Sequence, residues 1–377
     1  MTIVEAGAFG PGVREWSRVH WSKEEQHKLA RPLSAHHLGI RLAKQRHTMF
    51  PTRVQCAKKN LLLCFDAFGT LFRPNTPIPS AYAQAAIKHG VKLHVKNPAE
   101  AVAKEFKLAF KEASKQSPNY GKAVGLGAEK WWAQVSNSAI YGRTLSNYTN
   151  AMQVINNTFR RWLKPGEDVP QALVDDLLQR YSTKEGYDIY PDVVPFFRKL
   201  RTKQSSGAEK SWPWEKTIVG VITNSDDRVP GILSSFGLKV GPRRVDTPDQ
   251  RTAEAALEDD ISFVVLSYDV GVGKPDPAMF DAAVDSLKET LHERGDELRA
   301  EDFEKVYVGD EMQNDYYGAQ TAGWQALFLD RTNNFEKTFE EQGKSIITTT
   351  VRQPGWDEPS EIRAINGLEA LEGWRPS

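Results

Sequence analysis

Beyond Asn60 the hydrophobic positions fall into two kinds of run. The first kind is short and continuous: LLLCFD (61–66), TIVGVIT (217–223), FVVLS (263–267), KVYVG (305–309) and QALFL (325–329). Runs of this length without period-2 alternation suit strands buried on both faces of a parallel sheet. The second kind recurs every three or four residues. Val102, Phe106, Ala109, Phe110 and Ala113 form one set; Met152, Ile155, Phe159 and Trp162 a second; Leu173, Leu177 and Tyr181 a third. That spacing predicts amphipathic helices. Strands separated by helices predict an α/β fold, a Rossmann-like core in which helices cover a parallel sheet.

The gap between the first two strands spans about 150 residues and is mostly of the helical kind, far beyond an ordinary connection. Asn97 suits an N-cap and Pro98 the first helical position. Breakers at 118–127 and 164–170 divide the segment. The pattern therefore predicts a helical domain at 77–188, inserted into a core made of 61–76 and 189–335. Pro191 to Leu200 reads as the helix that returns to the sheet. The polar stretches 202–216 and 241–260 read as surface loops, and 336–377 as a C-terminal tail.

Residues 1–60 differ from the rest. From Gln26 to Asn60 there are eight Lys or Arg and no Asp or Glu. A basic, acid-poor start has the character of a mitochondrial transit segment, but the first 25 residues carry four Glu, which such segments avoid. The expectation is a partly ordered leader without chemistry, with Met49 as an alternative start.

Composition narrows the field. A chain of 377 residues predicts two to three domains. Its 49 basic and 49 acidic residues cancel, so no global field draws it to nucleic acid or an anionic membrane. No apolar run approaches the ~20 residues of a spanning helix, so no membrane insertion is expected. Two cysteines, Cys56 and Cys64, exclude a disulfide scaffold or a cysteine-rich zinc site. With no hydrophobic signal peptide, these features point to an intracellular protein, in cytoplasm or nucleus ahead of mitochondrion. Its oligomeric state is not legible.

In an open α/β sheet, ligands bind beyond the carboxyl ends of the strands. The first strand runs into Asp66, Ala67, Phe68, Gly69, Thr70, Leu71 and Phe72. The second ends in Thr223, Asn224 and Ser225; Lys274 follows the third within G-V-G-K-P-D-P; the fourth ends in Gly309 and Asp310, with Asp315 beyond. A strand-end carboxylate such as Asp66 is a candidate nucleophile. Thr223 and Lys274 are suited to hold phosphoryl oxygens by hydrogen bond and point charge. Gly69 permits a tight turn whose amides approach an anion. Three carboxylates with few bases repel one another unless a hard cation sits among them, and Mg²⁺ takes such oxygen ligands.

In their order along the chain, D-A-F-G-T-L, I-T-N-S, G-K-P-D-P and G-D-E-M-Q-N-D resemble the four motifs of the haloacid dehalogenase superfamily. The resemblance covers roughly 61–335, and A-I-N-G-L-E-A-L (364–371) is similar to the closing helix of that family. The long insertion resembles its helical type 1 cap. Within it F-K-L-A-F-K-E-A (106–113), P-N-Y-G (118–121) and the Trp131–Trp132 pair are similar to one eukaryotic branch. Trp131, Trp132 and Tyr120 are expected to pack within the cap or its hinge. The resemblance implies Asp66, Thr223 and Lys274 as catalytic residues and an aspartyl-phosphate on Asp66. It implies Gly69, Thr70 and Asn224 as phosphate contacts. Mg²⁺ would be held by Asp66, the backbone carbonyl of Phe68, Asp310 and Asp315, and the substrate would be a small phosphorylated molecule.

The departure is Phe68. Phosphatases of the superfamily usually carry Asp there, as the acid that protonates the leaving oxygen, a contribution of ~10²–10⁴-fold. Three readings follow. The first is a phosphatase-type hydrolase, slow or aided by another carboxylate such as Asp226 or Asp227. The second is a non-catalytic binder of a phosphorylated ligand or a protein. The third is a metal-independent 2-haloacid dehalogenase, whose D-A-Y-G-T-L motif resembles D-A-F-G-T-L and whose halide leaves without a proton.

Overall fold

The computed structural model describes residues 60–133, 154–206, 212–247, 258–352 and 358–376, together with Val4–Glu5. Apart from Val4–Glu5 and Asn60, the expected leader lies outside the described residues, as do Cys56 and Met152.

Eleven strands are described: β1 (Val4–Glu5), β2 (Asn60–Phe65), β3 (Phe72–Pro74), β4 (Tyr187–Ile189), β5 (Lys216–Thr223) and β6 (Val240–Arg243). The remainder are β7 (Ile261–Leu266), β8 (Phe303–Gly309), β9 (Gln325–Leu329), β10 (Ile346–Arg352) and β11 (Ser360–Ile365). Nine of them form one sheet in the order β1-β10-β11-β9-β8-β2-β5-β7-β6. Every pairing in it is parallel except β10 with β11. All six residues of β2 and of β7 are buried, as expected for central strands covered on both faces. Cys64 belongs to this core, where burial pushes its thiol well above the ordinary range.

The five strands expected from the sequence all form, with ends displaced by up to two residues. Asp66 and Ser267 fall just beyond β2 and β7. The other strands carry signals that mimic loops. β6 reads V-G-P-R, and it tolerates Pro because it is the last strand of the sheet. β10 reads I-I-T-T-T-V-R and buries alternate residues only. Three expectations are therefore corrected. The stretch 202–216 begins as helix, since Val193–Ser206 continues through it, and ends in β5. The stretch 241–260 starts within β6. The segment 336–377 is no tail: the helix Glu336–Gln342, β10 and β11 extend the sheet, and the expected closing helix is the end of β11 followed by a 3₁₀ turn, Leu368–Glu372.

The described part of 77–188 is helical: Ile78–Lys88, Pro98–Gln116, Ala128–Ala133, Val154–Phe159 and Gln171–Arg180 are its principal helices. The helix after Asn97 starts where expected, but Asn97 makes no capping bond to the backbone; its amide donates to Glu100 instead. Tyr82, Phe106, Phe159 and Tyr181 pack around one centre, with ring centroids of Tyr82 and Phe106 5.1 Å apart. Trp131 is buried and donates its indole N–H to the Ser117 carbonyl, so it is a packing residue. β3 and β4 pair antiparallel at the two ends of the insertion, Phe72 opposite Ile189, and so form its base. No helix among the described residues is long and apolar enough to cross a membrane.

Candidate active site

Asp66 leaves β2, the strand flanked by β8 and β5. Its backbone N–H donates to the Val308 carbonyl at 3.0 Å, which continues the β2–β8 ladder and fixes where its side chain starts. Lys274 arrives from the loop after β7 and is almost fully buried. Its Nζ donates to Asp66 Oδ1 at 2.7 Å, Asp315 Oδ1 at 2.8 Å and the Tyr307 hydroxyl at 2.7 Å. Those three bonds use all the donors an ammonium has. Asn224, just past β5, clamps the backbone of the lysine from both sides: it accepts from Lys274 N at 2.6 Å and donates to Lys274 O at 2.9 Å.

Asp310 and Asp315 come from the end of β8 and the π-helical turn Met312–Tyr317 after it. Asp310 Oδ1 accepts from Thr70 Oγ1 at 3.1 Å, and Asp315 Oδ2 accepts from Glu311 N at 2.8 Å. Two glycines make room for these carboxylates. A Cβ on Gly69, whose φ is +82°, would lie 2.4 Å from Asp310 Oδ2; one on Gly309 would lie 2.3 Å from Asp315 Oδ2.

One oxygen each of Asp66, Asp310 and Asp315 lies within 4.8 Å of the others. Burial, then the charges of Asp315, Asp66 and Glu311, pushes the Asp310 carboxyl well above the usual carboxylate range. The Asp315 carboxyl is pushed up to about 7, chiefly by burial and then by Asp66 and Glu311, against the pull of Lys274. Lys274 itself is raised: burial opposes its charge, but Asp315 and Asp66 outweigh that. Three acids facing one ammonium leave an uncompensated negative site made only of oxygen donors. That donor set fits a small hard cation such as Mg²⁺.

A cleft at this point is lined by Asp66, Phe68, Thr223, Asn224, Lys274, Glu311 and Asn314. It thus brings together five of the residues singled out from the sequence, and Asp310 and Asp315 join them through the carboxylate cluster. Thr70, expected as a phosphate contact, is fully buried with its hydroxyl donated to Asp310. Its contact is therefore with a carboxylate. Gly69 likewise faces Asp310. Phe68 stacks edge-to-face on Phe72 at 4.7 Å and Tyr187 at 5.7 Å, against the base of the insertion.

Neither carboxylate considered as a replacement acid lines the cleft. Asp226 is buried and accepts from Arg228 Nε and Nη2 at 2.8 and 2.7 Å and from the Trp132 indole at 3.0 Å. Burial opposes its ionisation, yet Arg228 holds its carboxyl below the usual range. Asp227 is exposed. Trp132 therefore joins the insertion to the loop after β5, and Asn119 joins it to the segment after β7, where its amide donates to the Ser267 carbonyl at 2.7 Å. Tyr120 packs on Trp131 and Tyr268 at the same junction.

Sequence reasoning missed Tyr307, Glu311 and Asn314. Tyr307 carried a signal: a tyrosine in the apolar, buried half of a strand needs a partner for its hydroxyl, and here it takes the Lys274 ammonium and donates to Ile222 O at 2.7 Å.

Residues 61–323 match the family model of the haloacid dehalogenase-like hydrolases. An uncharacterized hydrolase of Schizosaccharomyces pombe is 27% identical over 285 residues, spanning 76% of this chain and 97% of its own. The haloacid dehalogenase-like hydrolase domain-containing protein 3 of Homo sapiens is 24% identical over 321 residues, spanning 84% of this chain and 96% of its own. Among solved structures, a HAD phosphatase from Thermococcus onnurineus aligns with 72% of this chain and 87% of its own, at 19% identity and a TM-score of 0.37. With more than half of its length matched by the family model, and the motif residues gathered at one sheet edge, the chain belongs to the haloacid dehalogenase-like hydrolase family.

Proposed function

We propose that this chain is a Mg²⁺-dependent hydrolase of small phosphate monoesters, working through an aspartyl-phosphate on Asp66. The observation that carries the reading is the convergence of Asp66, Asp310 and Asp315 within 4.8 Å beside a single buried lysine. Three converging carboxylates beside one ammonium suit a cation site, for which a metal-independent dehalogenase has no need.

Asp66, Asp310, Asp315 and the Phe68 carbonyl would hold Mg²⁺, which would supply positive charge for the phosphoryl oxygens. Asp66 presents its second carboxylate oxygen to phosphorus while Lys274 orients the first. The new Asp66–phosphorus bond forms as the bond to the leaving oxygen breaks, and water then hydrolyses the acyl phosphate. Thr223 and Lys274 bind the transferring oxygens, with one of the lysine's three bonds exchanged for the substrate. The leaving oxygen departs as an anion and is protonated by water after its release, because Phe68 has no proton to give. Esters with good leaving groups are therefore the favoured substrates. The helical insertion acts as a cap that shields the reaction from bulk water, tied to the strand ends by Trp132 and Asn119.

The test is hydrolysis of p-nitrophenyl phosphate with and without Mg²⁺, in wild type and Asp66→Asn. The expected result is turnover that requires both the metal and Asp66. Phe68 also suits a halide leaving group, so the same proteins are assayed on a 2-haloacid. Halide release without metal, and no phosphatase activity, would replace this reading with the dehalogenase one. Metal binding without turnover on either substrate would replace it with that of a binder.

A further inference from the structure

Arg331 follows β9 and is nearly buried, with 8% of its side chain exposed. Its guanidinium donates twice to one acceptor, the backbone carbonyl of Thr70: Nε at 3.1 Å and Nη2 at 2.9 Å. Its third nitrogen, Nη1, donates to Asp192 Oδ2 at 2.8 Å. The Tyr190 ring lies 4.1 Å below the guanidinium carbon. Asp192 Oδ2 also accepts from Leu368 N at 2.8 Å, and Tyr190 N donates to Leu71 O at 3.0 Å. The planar fork of arginine is suited to such divergent bonding, and lysine is not.

Thr70 lies at the centre of the turn that carries Asp66 and Phe68. Its hydroxyl donates to Asp310, and the neighbouring Gly69 approaches Asp310 too closely for any side chain. The orientation of the Thr70 peptide therefore sets how this turn meets Asp310. The same guanidinium binds Asp192, three residues after β4, at the base of the insertion. Resting on the function proposed above, we propose that Arg331 is a positioning residue. It touches neither substrate nor metal, and it holds the Asp66–Leu71 turn in register with Asp310 so that the oxygens of the two converge on one cation. Outer groups that orient metal ligands commonly change metal affinity or activity by ~10–100-fold when altered.

The experiment uses the full chain as wild type, Arg331→Lys and Asp192→Asn. Mg²⁺ affinity is measured by titration calorimetry on folded protein, kcat and KM on p-nitrophenyl phosphate, and stability by thermal melting. Arg331→Lys keeps the charge and most of the stem but loses the paired bonds to Thr70. The expected result is Mg²⁺ affinity weakened ~10–100-fold and kcat lowered with KM little changed. Asp192→Asn leaves both Thr70 bonds in place, so it is expected to lower the melting temperature while Mg²⁺ affinity stays near wild type. A lower melting temperature in Arg331→Lys with wild-type Mg²⁺ affinity and kcat would overturn the proposal, reducing Arg331 to a packing anchor. An equal loss of Mg²⁺ affinity in Asp192→Asn would also overturn it, because the effect would then run through the base of the insertion. Wild-type protein that binds Mg²⁺ but hydrolyses nothing removes the proposed function alone, and the affinity comparison still decides the role of Arg331. Wild-type protein that binds no Mg²⁺ overturns both.

Discussion

The two sides of the cleft are built on opposite principles. On one side, Asp66, Lys274, Asp315 and Tyr307 form a buried network in which every donor of the lysine has a partner. On the other, where family phosphatases keep their proton donor, Phe68 joins an aromatic cluster with Phe72 and Tyr187. On the function proposed above, the first side would bind and transfer a phosphoryl group, whereas the second would shape a leaving group and has no proton to give it. If the proposed function holds, phosphoryl transfer does not depend on leaving-group protonation in this chain. They sit on different residues of one turn, two positions apart.

The comparison breaks most completely at Lys274. Lys274→Ala leaves Asp66 and Asp315 facing each other without a cation, and removing one partner of a buried ion pair costs about 3–5 kcal/mol. Hydrolysis is expected to disappear, and denaturant melts should show the loss of stability. Lys274→Met, which fills the volume, should recover part of the stability and none of the activity.

Gly69→Ala comes next. Alanine there must adopt a positive φ and its Cβ would strike the Asp310 carboxylate. The metal side is expected to open while Phe68 keeps its packing. Mg²⁺ affinity should fall ~10–100-fold, read by calorimetry, with a smaller drop in melting temperature.

pH tests the charge balance of the network without mutation. The Asp315 carboxyl is pushed up to about 7 in the folded chain, whereas an unfolded Asp titrates near ~3.9. The folded state thus keeps a proton that the unfolded state has lost. Metal-free stability is therefore expected to fall as pH rises from about 4 to about 7. Lys274, raised by its acids, acts in the same direction, but only above about 10, where the unfolded chain loses a proton that the folded chain keeps. Since Mg²⁺ binds the ionised acids, its stabilisation should be greater at pH 8 than at pH 5, a contrast visible in paired thermal melts.

The smallest effect is expected at the junction with the insertion. Trp132→Phe removes the indole bond to Asp226, while Arg228 still satisfies that carboxylate. A loss of about 0.5–1.5 kcal/mol follows, with Mg²⁺ affinity unchanged. A large loss of affinity would show that the insertion and the metal side are coupled.

The strand-end residues were legible because a parallel sheet aligns the C-terminal ends of its strands. Asp66, Thr223 and Asp310 each close or follow a continuous apolar run, so reading past each run found the site. The insertion was legible from helical spacing in Val102, Phe106 and Ala109. What was lost is local contrast. β6, with Gly and Pro, and β10, with three Thr, are peripheral strands whose polar composition resembles loops. The paired strands β3 and β4 are three residues each, and 112 residues of chain separate Pro74 from Tyr187. Arg331 bonds a backbone carbonyl and leaves no sequence pattern; Tyr307 signals only that its hydroxyl needs a partner, which turns out to be a lysine from a distant loop.

The most direct test of the divided site is a leaving-group comparison. Wild type and Phe68→Asp are assayed with Mg²⁺ on p-nitrophenyl phosphate and on an alkyl phosphate, whose leaving oxygen needs a proton. Wild type is expected to turn over the nitrophenyl ester and to be far slower on the alkyl ester. Phe68→Asp should narrow that gap by up to ~10²-fold, within the usual range for a positioned acid. Equal wild-type rates on both esters would show that another group supplies the proton that Phe68 cannot, and the site would not be divided.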